Sequence, residues 1–283
     1  MATRTVEMVG EHKLEQVFLT VEDHIGILTL HNPPVNAASG TVQEEIIMLC
    51  DYINHDDDIW VCIMHSDLKT FCVGVDIKRF KKSIDDKDVT NTQEVYYDGA
   101  LALYELRVPL ICAVHGHCLG GGLCYPAGAD ITIAVKGTVF GAPEAKLSVV
   151  GGSGHLARIL PPQIQRDMCY CGTFITAEEL TKYGGVTKVV DTLDELMPAA
   201  MDKAREICKR GPLVLRYLKA CMNAQEDFQM KQYLNKEFLL SNKQLVIKAT
   251  AIIVILAVAF FVFLAGDGEQ DVGEDILVSS GQG

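Results

Sequence analysis

The ten cysteines of this 283-residue chain include no CxxC pair. They stand at 50, 62, 72, 112, 118, 124, 169, 171, 208 and 221, mostly in apolar runs such as Leu110–Val114. That excludes a small disulfide scaffold and reads as buried thiols of a reducing compartment. Basic residues are short: Lys plus Arg number 25 against 37 Asp plus Glu, a formal charge of −12. Nucleic acid asks for a basic face, so no nucleic-acid partner is expected. A polyanionic small molecule needs only a local Lys or Arg cluster and stays open. The first sixteen residues, MATRTVEMVGEHKLEQ, hold no apolar core of a secretory signal. Short-period repeats and low-complexity linkers are missing too. What is there, 49% hydrophobic and 22% charged residues, excludes a disordered or collagen-like chain. The length suits one large domain or two modest ones.

The mean hydropathy of +0.18 is high, and its excess traces to the C-terminal end. Ala249 to Gly266 reads ATAIIVILAVAFFVFLAG, eighteen residues without a charge. Spanning a bilayer takes ~17–25 apolar residues, so this run qualifies. Lys243 and Lys248 precede it and an acidic tail (267–283) follows. The readings are a membrane anchor that leaves the main domain cytoplasmic, a buried or interface helix, or sequence from a shifted reading frame.

Val17–Val21 and Ile25–His31 read as a hairpin, ended by Asn32-Pro33-Pro34. A helical pattern covers Gly40–Asn54, carried by Val42, Ile46, Ile47 and Cys50. Trp60–His65 is a short strand, Thr92–Leu106 a helix, and Leu110–Val114, Ile131–Val135, Thr138–Phe140 and Lys188–Val190 are further strands. Gly154–Leu160 and Gln163–Cys171 read as helical, and Leu193–Leu245 as helical throughout. Leu196, Ala200, Ala204 and Ile207 share one face; Leu213, Tyr217, Leu218 and Cys221 share the next. Strands alternating with helices, then helices alone, predict an α/β fold with a helical appendage. The expected division is an α/β core over 1–192, a helical region over 193–248, the apolar run over 249–266 and the tail.

Three segments carry candidate chemistry. Phe71-Cys72-Val73-Gly74-Val75-Asp76-Ile77-Lys78 follows a strand after a polar loop. Gly116-His117-Cys118-Leu119-Gly120-Gly121-Gly122 follows the LICAV strand and opens a helix. Free backbone N–H groups at the positive end of a helix dipole stabilise an anion, and glycine lets the backbone approach it. Glu144, in Gly141-Ala142-Pro143-Glu144-Ala145-Lys146-Leu147, is a carboxylate just past a strand. Singly, each has a plain structural reading. The triple glycine matches neither GxGxxG nor a P-loop and fits a tight turn; Asp76 fits a helix cap; Glu144 fits a solvated loop. Their order and spacing together favour a site.

FCVGVDIKRF, VPLICAVHGHCLGGGLCYPAGADITIA (which includes Asp130), FGAPEAKLSVVGGSGHLARILP and FITAEELTKYGGVTKVV resemble, in that order, four motifs of the crotonase (enoyl-CoA hydratase/isomerase) superfamily. The likeness runs from Gln16 to Leu245. It implies a spiral of ββα units with a C-terminal helical trimerisation region, assembled as trimers or trimer pairs. It also implies an acyl-CoA thioester whose carbonyl lies between the N–H groups of Val75 and Gly121. Asp76, Ile77, Lys78, Gly122 and Cys124 are then substrate-binding. Lys78 and Arg79 are the nearest cations for the CoA phosphates, though a solvated helix face explains that pair equally well. No cofactor is implied beyond the coenzyme A of the substrate.

One departure bears on the reaction. Hydratases of the superfamily hold water between two glutamates; Glu144 matches the second, and the place of the first is Cys124. A thiol is a weak hydrogen-bond partner and cannot replace a water-orienting carboxylate. Glu144 is left as sole acid/base, with a pKa raised by an apolar pocket. One carboxylate serves a hydratase or lyase, and the GAPEAKL…ARILPP stretch favours that branch. The alternatives are a double-bond isomerase, a decarboxylase or hydrolase, and a membrane-tethered binding protein without catalysis. Cys124 reads as a packed thiol rather than a nucleophile. His115 and His117 lack further ligands at metal spacing, so no metal is expected. Tyr96, Tyr97 and Tyr125 are candidates to complete the pocket, each equally a packed ring with its hydroxyl at the surface.

Overall fold

The computed structural model describes residues 3–76, 89–147, 150–151 and 154–226, without the side chains of 89–94 and 147. The strands are β1 (Arg4–Val6), β2 (Met8–Val9), β3 (His12–Lys13), β4 (Val17–Glu22), β5 (Ile25–Leu30), β6 (Val61–Ser66), β7 (Leu110–Val114), β8 (His117–Leu119), β9 (Ile131–Val135), β10 (Val139–Gly141), β11 (Phe174–Thr176) and β12 (Lys188–Val190). The helices are α1 (Gly40–His55), α2 (Val89–Tyr104), α3 (Cys124–Gly128), α4 (Pro162–Cys171), α5 (Ala177–Lys182), α6 (Leu193–Cys208) and α7 (212–226).

A seven-stranded sheet runs β1-β4-β5-β6-β7-β9-β12. β1, β4 and β5 pair antiparallel, and β5 through β12 pair parallel. The side-chain period of two decides what each strand buries. β7 is buried at every residue, as a parallel strand covered on both faces should be. Its Leu110, Cys112 and Val114 join one core, while Ile111 and Ala113 join the other. α1 closes the first core with Val42, Ile46, Leu49 and Ile53. α6 closes the second with Leu196, Ala200 and Ala204. α6 follows β12 across residue 192 and lies directly on the sheet.

Local chemistry sets the helix ends. The Ser39 hydroxyl accepts the Val42 N–H at 3.1 Å and starts α1. Thr176 and Glu179 form a reciprocal capping box at α5. α4 opens on Pro162 and ends at Gly172 with φ +62°. Within α1, the fully buried Glu45 carboxylate accepts the backbone N–H groups of Glu15, Gln16 and Val17 at 2.7, 2.8 and 2.7 Å. That seats the N-terminal strands on the core.

The expectation of a helix over Gly154–Leu160 is corrected. The chain makes only a 3-10 turn, His155–Arg158, before Ile159 and Leu160 are buried. The second helical face is found on α7 and turned outward: Leu213, Tyr217 and Leu218 are more than half exposed, as are Val214 and Met222, and Cys221 is exposed. α7 is held by polar contacts instead. Lys219, 3% exposed, donates to Asp130 at 2.8 Å and to the Val108 carbonyl at 3.0 Å, and Asp130 also accepts the Leu110 N–H at 2.7 Å. Asn223 bonds the Tyr104 carbonyl at 2.9 Å, and Arg158 pairs with Glu226 at 2.8 Å. Among the described residues no helix is long and apolar enough to cross a membrane. The 249–266 run and its tail lie outside the described residues, as does the chain expected to be helical from 227 to Leu245.

Candidate active site

A second, three-stranded sheet, β11-β10-β8, forms where the chain leaves the main sheet. The loop after β6 runs alongside β8. Cys72 and Cys118 form a parallel bridge; Cys72 N–H donates to the His117 carbonyl at 3.1 Å and Leu119 N–H to the Cys72 carbonyl at 2.9 Å. Buried Asn36 pins the loop from below, donating to Ser66 Oγ at 2.6 Å and to the Phe71 carbonyl at 3.0 Å. Thr70 closes it, its hydroxyl accepting the His117 N–H at 2.8 Å.

Three residues beyond that bridge, each strand presents a main-chain amide. On one side, Ala38 N–H donates to the Gly74 carbonyl at 2.7 Å and Asp76 N–H to the Ala38 carbonyl at 3.0 Å. A trans peptide points its C=O and N–H opposite ways. With the Gly74 carbonyl held by Ala38, the Val75 N–H of that same peptide faces away from Ala38, toward the glycine loop. Gly74 has φ +98°, and a Cβ there would meet the Leu119 carbonyl at 3.0 Å and Gly121 N at 3.3 Å. Only glycine permits that approach. On the other side, Gly120–Leu123 coil as a 3-10 turn leading into α3. Gly121 lies in the first turn, whose N–H groups have no intrahelical acceptor. A Cβ on Gly121 would lie 3.7 Å from Val75 N. The two amides therefore stand side by side at a helix start.

Glu144 arrives by register. β10 pairs parallel with β8, Gly141 opposite Leu119, so the Pro143–Leu147 turn lies beside the triple glycine. The position of a Cβ on Gly120 (φ +54°) is 3.0 Å from Glu144 Oε1, and that of a Cβ on Gly151 is 2.8 Å from the same oxygen. The residue keeps a partly exposed surface, but its carboxyl is closely walled. Burial pushes its pKa up to about 7, slightly offset by its own backbone N–H. At neutral pH such a group is available both as acid and as base.

The other sequence-predicted residues separate. Gly122 is buried under the turn and Asp76 is half-buried beside Ala38. Cys124, half-buried, begins α3. Ile77 and Lys78, with Arg79, lie outside the described residues. Tyr125 is 1% exposed; its hydroxyl accepts from Gln43 at 2.7 Å inside the core rather than lying at the surface. Tyr96 donates to the Ala38 carbonyl at 2.8 Å, and Tyr97 packs near Tyr104. His115 bonds the Leu68 carbonyl at 2.7 Å, and burial lowers the pKa of His115 and His117. Among the described residues no group of His, Cys, Asp and Glu could hold a metal. Sequence reasoning passed over Asn36 and Ala38. The signal for Asn36 lies in Asn32-Pro33-Pro34-Val35-Asn36, since asparagine tolerates the φ of +50° adopted there.

Paired amides, a helix start and a buried carboxyl form a set of groups that can stabilise a carbonyl acquiring negative charge. The family described as enoyl-CoA hydratase/isomerase matches residues 20–246, and the chain belongs to that family. It is 29% identical over 204 residues, 72% of this chain and 82% of the other, to the (7aS)-7a-methyl-1,5-dioxo-2,3,5,6,7,7a-hexahydro-1H-indene-carboxyl-CoA hydrolase of Mycobacterium tuberculosis. It is 30% identical over 225 residues to the carnitinyl-CoA dehydratase of Salmonella enteritidis, covering 77% of this chain and 84% of that one. The solved enoyl-CoA hydratase/isomerase of Mycobacterium paratuberculosis shares the fold, with a TM-score of 0.79 at 18% identity, over 85% of this chain and 98% of that one.

Proposed function

We propose that the protein is a hydratase or lyase acting on an acyl-CoA, with Val75 and Gly121 N–H groups as oxyanion donors and Glu144 as acid/base. The observation that carries this reading is the adjacency of two amides from separate loops to one carboxyl with a pKa near neutrality. In the hydration direction, Glu144 takes a proton from water as the water oxygen bonds to the β-carbon. The C=C electron pair moves onto the thioester oxygen, where the two N–H groups stabilise it. The proton then passes to the α-carbon, so that water is added in sum; dehydration is the reverse. One oxyanion donor is typically worth ~2.7–4 kcal/mol. Gly122, Asp76 and Cys124 border the acyl and pantetheine path in this reading; Ile77 and Lys78, expected to bind substrate as well, lie outside the described residues.

A hydrolytic variant is the second reading. It is favoured by the relatives named as carboxyl-CoA hydrolases at 29% and 30% identity. The test is an assay of the purified full chain on a panel of crotonyl-CoA, a 3-enoyl-CoA, a 3-hydroxyacyl-CoA and a cyclic β-keto acyl-CoA. Hydration or dehydration is expected, and Glu144→Gln should lower it by about 10²–10⁴-fold. Cleavage of the cyclic substrate alone would select the hydrolase. No turnover and no CoA binding across the panel would leave a non-catalytic binding protein.

The exposed apolar face of α7 supports a homotrimer or a pair of trimers, which size-exclusion with light scattering measures. The uncharged run 249–266, flanked by Lys248, supports a membrane contact at that end. Release of the protein from membranes by an alkaline wash would count against it.

A further inference from the structure

We infer that Tyr96 is a positioning residue of the oxyanion hole, acting through Ala38; the inference deepens the reaction just proposed and rests on it. The direction of the Val75 N–H is fixed by the peptide that joins Gly74 to Val75. Glycine at 74, with φ +98°, leaves that peptide free to rotate at low cost. What stops it is the Ala38 N–H on the Gly74 carbonyl, at 2.7 Å.

Ala38 is therefore the post to which the oxyanion loop is tied, and the post must itself be held. Its carbonyl has two lone pairs. One accepts the Asp76 N–H at 3.0 Å, a bond to the same loop. The other accepts the Tyr96 hydroxyl at 2.8 Å, from the middle of α2. Tyr96 thus supplies a bond to Ala38 from an element outside the loop, and its ring packs against the main core. Just before Ala38, Asn32 Nδ2 holds the Ala37 carbonyl at 2.7 Å. Without the Tyr96 hydroxyl, Ala38 and residues 74–76 lose that anchor, and the Val75 N–H is aimed less firmly at the reacting oxygen. Substrate binding, which depends on the whole acyl-CoA, should suffer little.

The test is Tyr96→Phe in the full chain, which keeps the ring and deletes the hydroxyl. The expected result is a fall in kcat of about tenfold with KM within about twofold, the split of an interaction made chiefly in the transition state. Difference infrared spectra of bound butyryl-CoA, ¹³C-labelled at the carbonyl, read the hole directly. The carbonyl stretch should drop on binding to the parent protein and drop distinctly less in Y96F. A shift in the parent that Y96F leaves intact, or kcat unchanged, overturns the role of Tyr96 while the acyl-CoA reading stands. Loss of thermal stability in Y96F without a change in the shift means that the hydroxyl serves the fold alone and also overturns it. No binding and no shift in the parent overturns the acyl-CoA reading, and this inference with it.

Discussion

The loops that carry Val75 and Gly121 and helix α7 are both held to the core by polar contacts, yet in different proportions. The loops rely chiefly on main-chain bonds, Cys72 on β8, Ala38 on Gly74 and Asp76 on Ala38, with the side chains of Asn36, Thr70 and Tyr96 as pins. Gly74 and Gly120–Gly122 let the two backbones meet, and their placement follows strand register. α7 relies on side chains: Lys219 on Asp130, Asn223 on Tyr104, Glu226 on Arg158. It leaves an apolar face outward. A backbone clamp places an amide to within a few tenths of an ångström because the chain has few soft torsions. A long side chain tethers a helix while tolerating adjustment when a partner docks. The proposed chemistry depends on the first kind of attachment, and the proposed assembly surface on the second.

Substitutions can break this contrast. The largest effect is expected at Gly74→Ala. The residue sits at a positive φ with the Leu119 carbonyl against it, so the variant should lose about 10²–10³-fold in kcat. A circular-dichroism spectrum and oligomeric state like the parent's would show that α7 is untouched. Next is the α7 tether. Asp130→Ala strands a buried ammonium and should cost about 3–5 kcal/mol in denaturant unfolding, whereas Lys219→Met should cost clearly less. Equal costs would mean that the pair is not a buried ion pair in solution.

Third is the pH dependence of stability. Glu144 has a folded-state pKa raised from 4.5 to about 7. Between those values the folded state binds more protons than the unfolded one, so stability falls as pH rises through that window. The expected loss is on the order of 1–3 kcal/mol, discounted for the partial exposure of the group. Comparison of Glu144→Gln with the parent at pH 4.5 and pH 8 isolates it; identical pH profiles would remove the pocket's desolvation from the account. The smallest and most specific effect is a gain. Cys124→Glu should raise hydration of crotonyl-CoA by a factor of a few, because a second carboxylate can orient water. Unchanged or lower hydration would show that position 124 does not face the water site.

Much of this was legible in the residues. Leu110–Val114 and Ile131–Val135 are found as strands with the expected bounds, because continuous apolar β-formers leave few alternatives. α1 follows its 3.6-residue pattern and its Ser39 cap. The motifs that bracket Val75, Gly121 and Glu144 stand out by composition. What the pattern concealed is instructive. β8 and β11 are three residues long and hold their shape by pairing, both with β10 and β8 also with the Cys72 loop. The Gly154–Leu160 stretch looks helical in composition, yet tightens into one 3-10 turn. Tyr96, Tyr97 and Tyr125 look alike on paper. The hydroxyls of Tyr96 and Tyr125 serve different ends because α2 and α3 present them to different neighbours.

The amino-acid sequence by itself determined the alternation of strands and helices, the apolar runs of the central strands and the glycines that let backbone approach backbone. These follow from local period and local steric freedom. Only the tertiary structure decided that a peptide at 74–75 is turned by Ala38, that Ala38 is held by Tyr96, and that Glu144 stands beside Gly120. Those relations join residues dozens of positions apart, and a contact at that range exists only once the strands have taken their register.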